Sequence, residues 1–372
     1  MHQVLSSTPR AWGKDPPELV LLFASPRHDI AQVARQAVGR FPEATVITAS
    51  SAGEFTEQGA TQGGISALFV RWGEVSVSST LLESMRGEPE LLKQRLLSTF
   101  ADDILEWAVR GRSYPVTLLL CDSFSPEFEP LVRELGKTPY DDYVFAGAGA
   151  ADDGALVGSA VALGARAAPA GAVALHAFSK HPWGVGVDTG LMPSGSRMAV
   201  TRADGQRVIE LDGLPAWEAY RARSTQGSDN AAVPHRALHT SELGVLLFDQ
   251  LVGIRAPRKP EPDGSMLFGA PVPEGSTVTF VEATPTQLAA AATRAARAAE
   301  AALEGPAAGV LVFSSLARRL RLDDDHLEVR AVAEVFPNTP IAGFLSYAEV
   351  ARTPVSLGGY YNSSVVVIAI PA

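Results

Sequence analysis

Apolar runs broken by short polar or glycine-bearing turns recur along the chain, and their lengths separate strands from helices. Glu18 to Ala24 (ELVLLFA) is a continuous apolar run of strand length, the pattern of a strand buried on both faces. Ser25-Pro26 stops it. Ile30, Val33, Ala34, Val38 and Phe41 then recur at helical spacing behind Asp29, and Pro42 ends that helix. Residues 46–48 form a second short strand before Ala49-Ser50-Ser51-Ala52-Gly53-Glu54. Residues 66–70 and 75–80 predict a hairpin, and 89–109 predicts one long amphipathic helix with Leu91, Leu92, Leu96, Leu97, Phe100, Ile104 and Leu105 facing inward. Residues 116–120 read as another buried strand, and 144–154 (VFAGAGAADDG) as a strand end running into a glycine-rich loop. Strands over 160–164, 171–178 and 183–187 precede 190–195, the best candidate for a domain joint.

The second half opens with a hairpin on Asp204-Gly205 and a helix over 215–223 with proline at its first position. Residues 226–239 are polar and loop-like. Strands at 245–248, 266–268 and 277–281 lead to an alanine-rich helix over 286–303, closed by Gly305-Pro306. Strand 310–313, helix 323–336, strand 341–344 and strand 365–370 complete the chain. The fold class is α/β with an α+β admixture: two sheet-rich domains with flanking helices, over 18–195 and 196–370.

The two ends of the chain repeat one another. Phe41-Pro42, Val46, Ser51 and Glu54 have the spacing of Phe336-Pro337, Ile341, Ser346 and Glu349, and Leu22-Phe23-Ala24-Ser25 matches Val312-Phe313-Ser314-Ser315 loosely. Each copy is strand, serine-bearing turn, helix, Phe-Pro, strand and a small-residue turn closing on Glu. Two duplicated strand–helix–strand units would present equivalent loops beyond the carboxyl ends of their strands, where α/β proteins bind ligands.

Composition narrows the function classes. Of 372 residues 46% are hydrophobic and 19% charged, which supplies a core and excludes the disordered class. A net charge of −10 argues against a phosphate-tracking surface, so no nucleic-acid partner is expected. The lone Cys121 excludes internal disulfides and cysteine-based zinc modules. The longest weakly polar run, 161–178, carries Arg166 and is shorter than a spanning helix of about 20 residues. Residues 1–17 contain no apolar stretch of signal-peptide type. A cytoplasmic protein without membrane insertion is expected.

Six motifs, in order, make the chain resemble the FIST family, a two-domain sensory module of signal-transduction proteins. They are LLFASP (21–26), FPEATVITASSAGEF (41–55), AGAGAADD (146–153), VTRADGQRVIELDGLPAWEAY (200–220), VLVFSSLARR (310–319) and GFLSYAEV (343–350). Asn362, before the final strand, agrees as well. The resemblance spans residues 18–370. It implies binding of a small ligand, with amino acids the proposed class, and coupling to a separate signalling output protein. One branch of similar proteins senses nitric oxide through haem. This chain has Ala49 and Phe313-Ser314-Ser315 where relatives tend to have cysteine, and Thr189-Gly190-Leu191 where some show His-Gly-Trp, so no cofactor is expected and haem is the alternative.

Catalytic signatures are absent. There is no Gly-x-Ser-x-Gly elbow and no phosphate-binding Gly-x-x-x-x-Gly-Lys-Ser/Thr loop. The 146–151 stretch serves close backbone packing or turns its amides to a ligand carboxylate. Asp323-Asp324-Asp325-His326 caps a helix or, alternatively, holds a metal. His176 sits in an apolar strand, as a satisfied core residue or a cofactor ligand. Arg318, four residues past Ser314, offers a fork for a carboxylate or forms a structural salt bridge with Glu349. Glu54 and Glu349 would take an ammonium or bond loop amides. The expected ligand-binding set is Ser25, Ser51, Gly53, Glu54, Arg318, Tyr347 and Glu349, with Arg318, Glu54 and Glu349 in one pocket. A non-catalytic sensor follows, with an enzyme of unassigned class as the further alternative.

Overall fold

The computed structural model describes residues 15–72, 75–109, 111, 114–138, 143–224, 241–352 and 359–372, and within helix 98–109 not the side chains of 102 and 104–108. The expected inward positions of Ile104 and Leu105 and the expected loop over 226–239 lie outside what is described.

The chain opens with strand β1 (Leu19–Ala24), helix α1 (Ile30–Arg40) and strand β2 (Thr45–Ser50). Asp29 caps α1 by accepting the amides of Ala31 and Gln32. β3 (Glu54–Thr56), β4 (Gly59–Thr61) and β5 (Ile65–Val70) follow. Next come β6 (Ser76–Leu82), α2 (Pro89–Leu96), α3 (Ser98–Val109), β7 (Tyr114–Asp122), α4 (Phe128–Leu135) and β8 (Val144–Ala150). The expected single helix is thus two, broken at Leu97, and Leu91 is 55% exposed rather than inward. Short β9 (Val161–Leu163) and β10 (Arg166–Ala168) precede β11 (Ala172–Ser179) and β12 (Gly184–Asp188).

The segment from Met192 to Glu282 builds a sheet of its own. It holds β13 (Met192–Asp204), β14 (Arg207–Leu211), β15 (Leu214–Pro215), helix α5 (Ala216–Arg223), β16 (Leu243–Leu247), β17 (Gln250–Arg255), β18 (Pro257–Pro260), β19 (Met266–Phe268) and β20 (Thr277–Glu282). Val200, Val208, Leu211, Tyr220, Leu243 and Phe268 belong to its separate core. The chain then returns through α6 (Pro285–Ala301), β21 (Ala307–Ser315), α7 (Leu316–Arg319), α8 (Leu327–Val335), β22 (Ile341–Ser346), β23 (Glu349–Arg352), β24 (Tyr360–Tyr361) and β25 (Val365–Pro371).

Three sheets share one plan. Their strand orders are β10-β9-β2-β1-β5, β24-β23-β8-β7-β11-β6 and β4-β3-β22-β21-β25-β12. At the centre of each lie two parallel strands joined through one helix or, in the last case, two: β1 with β2, β7 with β8, β21 with β22. An antiparallel strand flanks the first of each pair: β5, β11 and β25. The strand flanking the second of each pair comes from a different unit. β3 leaves β2 and pairs with β22; β23 leaves β22 and pairs with β8; β9 leaves β8 and pairs with β2. The exchange closes a ring of three. The duplication visible in the sequence is therefore two members of a triplet, and β7–α4–β8 is the third.

Equivalent backbone bonds seal each crossing: Leu345 N to Gly53 O (2.8 Å), Gly149 N to Ala348 O (2.8 Å) and Ser50 N to Ala160 O (2.9 Å). The inner faces of the three sheets meet in one core that includes Leu21, Phe23, Leu118, Leu120, Phe313 and Phe344. Phe23, Phe313 and Phe344 pack ring against ring at 5.0–5.7 Å. Two of the sheets combine strands from both sides of the expected joint near residue 195, because β3 and β12 join β21, β22 and β25 while β23 and β24 join β7 and β8. The expected hairpin over 66–80 also dissolves: β5 pairs with β1 and β6 with β11, in different sheets.

The alanines of α6 have a packing role. Ala291, Ala292, Ala295, Ala296 and Ala299 are buried, and α6 rests on β12, whose Gly184 and Gly186 leave no room for a side chain. A Cβ on Gly186 would lie 1.9 Å from the Ala295 carbonyl. Gly186→Ala should therefore cost about 1–3 kcal/mol in urea denaturation, whereas Gly305→Ala, which meets nothing within 4 Å, should leave stability nearly unchanged.

Candidate ligand-binding site

The two repeated turns are built alike. Ser51 Oγ donates to Glu54 Oε1 and Ser346 Oγ to Glu349 Oε1, both at 2.6 Å. The second oxygen of each carboxylate accepts an amide from the loop leading into the antiparallel strand, Gly64 N at 2.9 Å and Ser364 N at 3.1 Å. Each glutamate thus ties the strand that crosses over to the sheet it has left. Both carboxyls are buried, and burial raises their proton affinity; that of Glu349 is pushed up to about 7 although three hydrogen bonds and the nearby Arg318 pull the other way.

Arg318 does not complete a pocket with them. It is fully buried and pairs with Glu328 through its Nε at 2.8 Å and its Nη2, which also donates to Leu288 O at 3.1 Å; its Nη1 donates to Thr189 O. Its fork is spent inside the protein, joining α7 to α8 and to the start of α6. The salt bridge weighed for it with Glu349 is made with Glu328 instead. Gly53 has a positive φ of 143°, and its carbonyl receives the crossing bond from Leu345.

In the third unit the pattern is broken. The strand registers place Ala150 where the others carry Ser51 and Ser346, and Val161 where they carry Glu54 and Glu349. Residues 151–160 replace the two-residue link of the other turns. Asp152 organises this longer loop by accepting the amides of Leu156 (2.9 Å), Val157 (2.7 Å) and Gly158 (3.0 Å). Tyr347 Oη donates to Asp152 and accepts Gly154 N at 2.9 Å, and Ser25 Oγ donates to Asp153 at 2.7 Å.

Beside this loop lies a cavity of about 470 Å³, over the carboxyl ends of β7 and β21. Ser123 and Phe124 continue β7, Ser315 ends β21, and Leu156 comes from the long loop. The inserted sheet closes it with β18, which carries Arg258, while Tyr360 and Asn362 form the side. Of the expected set only Tyr347 lines this cavity; Ser25, Ser51, Gly53, Glu54, Arg318 and Glu349 do not. Arg258 donates to Ser123 O at 3.0 Å and stands 5.8 Å from the Phe124 ring centroid. Among the described residues it has no salt-bridge partner, and Asp122 is near enough to feel its charge. The one sequence signal for it was a basic pair held between two prolines, Pro257-Arg258-Lys259-Pro260.

The other candidates have partners within the protein. His176 is buried, with one ring nitrogen on Thr117 Oγ1 (2.8 Å) and the other on Leu96 O (3.0 Å), and burial lowers its pKa to about 4. A haem iron would have to displace one of these bonds. His181 pairs with Glu304 at 3.0 Å on the surface. Asp324 and Asp325 pair with Arg330 and Arg319, and His326 Nδ1 accepts Ala60 N at 2.9 Å. No cluster of three or more metal-ligating side chains occurs among the described residues. Cys121 is buried, and burial pushes its thiol pKa up.

The architecture is thus a mixed α/β protein with a cavity at the carboxyl ends of its parallel strands. The chain belongs to the FIST family: the FIST N domain model matches residues 18–214 and the FIST C domain model residues 216–352. FIST domains are associated with sensing in signal transduction. A comparison with curated protein sequences gave no match. No helix among the described residues is long and apolar enough to cross a membrane.

Two predictions concern the buried charges. Arg318→Ala strands the Glu328 carboxylate in the core and should cost about 3–5 kcal/mol in urea denaturation, with Arg318→Lys restoring only part because it lacks the fork. Glu349 binds its proton more tightly folded, near 7, than at its ordinary value of 4.5. Its contribution to stability is therefore full below pH 4.5 and falls as pH rises to about 7, by about 3 kcal/mol. Stability measured across that window should fall less steeply in Glu349→Gln than in the wild type.

Proposed function

We propose that this protein is a non-catalytic sensor that binds a small organic anion in the cavity beneath β18 and passes its occupancy to a separate signalling protein. Arg258 carries the proposal. Its guanidinium reaches a largely apolar cavity with one hydrogen bond to protein and no salt-bridge partner among the described residues. A carboxylate, the group that amino acids share with other organic acids, would meet its free donors in the bidentate geometry that arginine favours. Cavities of this size and lining, with few polar groups converging on them, are the usual form of small-molecule sites.

The non-catalytic part rests on where the nucleophile–base pairs lie. Ser51–Glu54 and Ser346–Glu349 have hydrogen-bonded geometry, but all four residues are buried and none lines the cavity. A cytoplasmic location and the absence of a cofactor belong to the same proposal.

Thermal denaturation with a panel of organic acids and amino acids tests it. A ligand that binds only the native state raises the melting temperature as its concentration passes Kd. At least one anionic compound should do so, be recovered unchanged, and lose its effect in Arg258→Ala. A shift that survives Arg258→Ala, or conversion of the compound by the wild type but not by Ser346→Ala, would overturn the proposal.

A further inference from the structure

The charges around the cavity narrow the ligand further, on the premise that the cavity is the sensory site. Its lining contains Arg258 and Lys259 and no Asp or Glu, but Lys259 is paired with Glu261 at 3.0 Å, which leaves Arg258 as the lining cation without a salt bridge among the described residues. Two carboxylates behind the wall, Asp122 and Asp152, are engaged by protein donors, and the charge of Asp122 also acts on Arg258. Asp122 accepts from Ser159 Oγ at 2.6 Å and from Phe124 N at 3.3 Å. Asp152 takes three backbone amides and the Tyr347 hydroxyl. Asn362 Oδ1, the lining side-chain amide oxygen, already faces Ala256 N at 3.5 Å. Ser123 and Ser315 add hydroxyls, that of Ser123 spent on Ala150 O at 2.7 Å, and apolar or aromatic side chains, among them Phe124, Tyr360, Leu156, Leu267 and Leu316, make up most of the rest.

A ligand ammonium placed here would leave water without a carboxylate to replace it and would feel the repulsion of Arg258. Burying a charge without a partner is far more costly than burying a hydrocarbon. A carboxylate attached to an apolar or aromatic body meets neither penalty. We infer that the ligand is a carboxylate without a cationic amine, an aryl- or alkyl-substituted organic acid rather than the zwitterion of an amino acid, with its head on Arg258 and its body against Phe124 and Tyr360.

Three compounds built on one phenylethyl unit separate the charges: 3-phenylpropionate, L-phenylalanine and phenethylamine. Titration calorimetry of the full chain near neutral pH should show 3-phenylpropionate binding at least about tenfold more tightly than phenylalanine, with no heat of binding from phenethylamine. Arg258→Ala should abolish the phenylpropionate signal, and Arg258→Lys should keep a weaker one. Equal or tighter binding of phenylalanine, any binding of phenethylamine, or undiminished phenylpropionate binding by Arg258→Ala overturns the inference. Silence from all three, while another anion of the panel gives an Arg258-dependent thermal shift, overturns this inference and leaves the sensory proposal standing. Silence from the entire panel removes the sensory proposal itself.

Discussion

Strand exchange is the constraint on which the rest of the structure depends. Each strand–helix–strand unit passes its next strand to another sheet, and because three such transfers close a ring, none of these three sheets is completed by its own segment. The cost is topological: residues near the start of the chain must find partners near its end, as β3 finds β22, and such long-range pairings close large loops before they are stabilised. The return is a single core walled by three sheets, with the inner residues of all of them in mutual contact. The exchange also gives Ser51–Glu54 and Ser346–Glu349 their structural task. Each carboxylate sits where a strand leaves its own sheet and binds both sides of the departure.

Threefold likeness makes the one departure from it informative. The unit around β7 and β8 has neither the serine nor the glutamate, and a loop held by Asp152 and Tyr347 fills the gap. That loop borders the cavity, and the inserted sheet roofs it with β18. Two turns of the ring hold the architecture, and the third has room to shape a site. A loop anchored by one carboxylate and one hydroxyl lies beside a cavity that Tyr347 also lines, so Tyr347 connects the cavity wall to the ring crossing.

Buried charge in this protein joins elements that would otherwise only pack. Arg318 and Glu328 connect α7 with α8, and Arg321 with Glu242 connects the inserted sheet to the same region, where Glu242 also receives Ser363. Buried ion pairs of this kind add little net stability over an apolar pair, yet breaking one leaves a stranded charge. Arg258 is unlike them in reaching a cavity without a salt-bridge partner among the described residues, Asp122 being the carboxylate near enough to feel its charge. The contrast between satisfied and unsatisfied arginines, rather than their number, distinguishes structure from site.

The local pattern of the sequence determined most of the elements and the kinship of two of the three units. Continuous apolar runs marked β1, β7, β21 and β25, Asp29 and Pro42 bounded α1, and Phe-Pro, Ser and Glu at matched spacings exposed the repeat. The third unit stayed hidden because Ala150 and Val161 stand where its serine and glutamate would be and its link is longer. Strand partnership was not legible either: residues 66–80 looked like a hairpin, yet backbone hydrogen bonding is indifferent to sequence separation, and burial placed β5 and β6 in different sheets. The same limit governed the site. Arg318 and Arg258 are each a cation beside apolar residues in the sequence, and only the tertiary structure, by setting Glu328 against the one and an open cavity against the other, decided which is a joint and which faces a cavity.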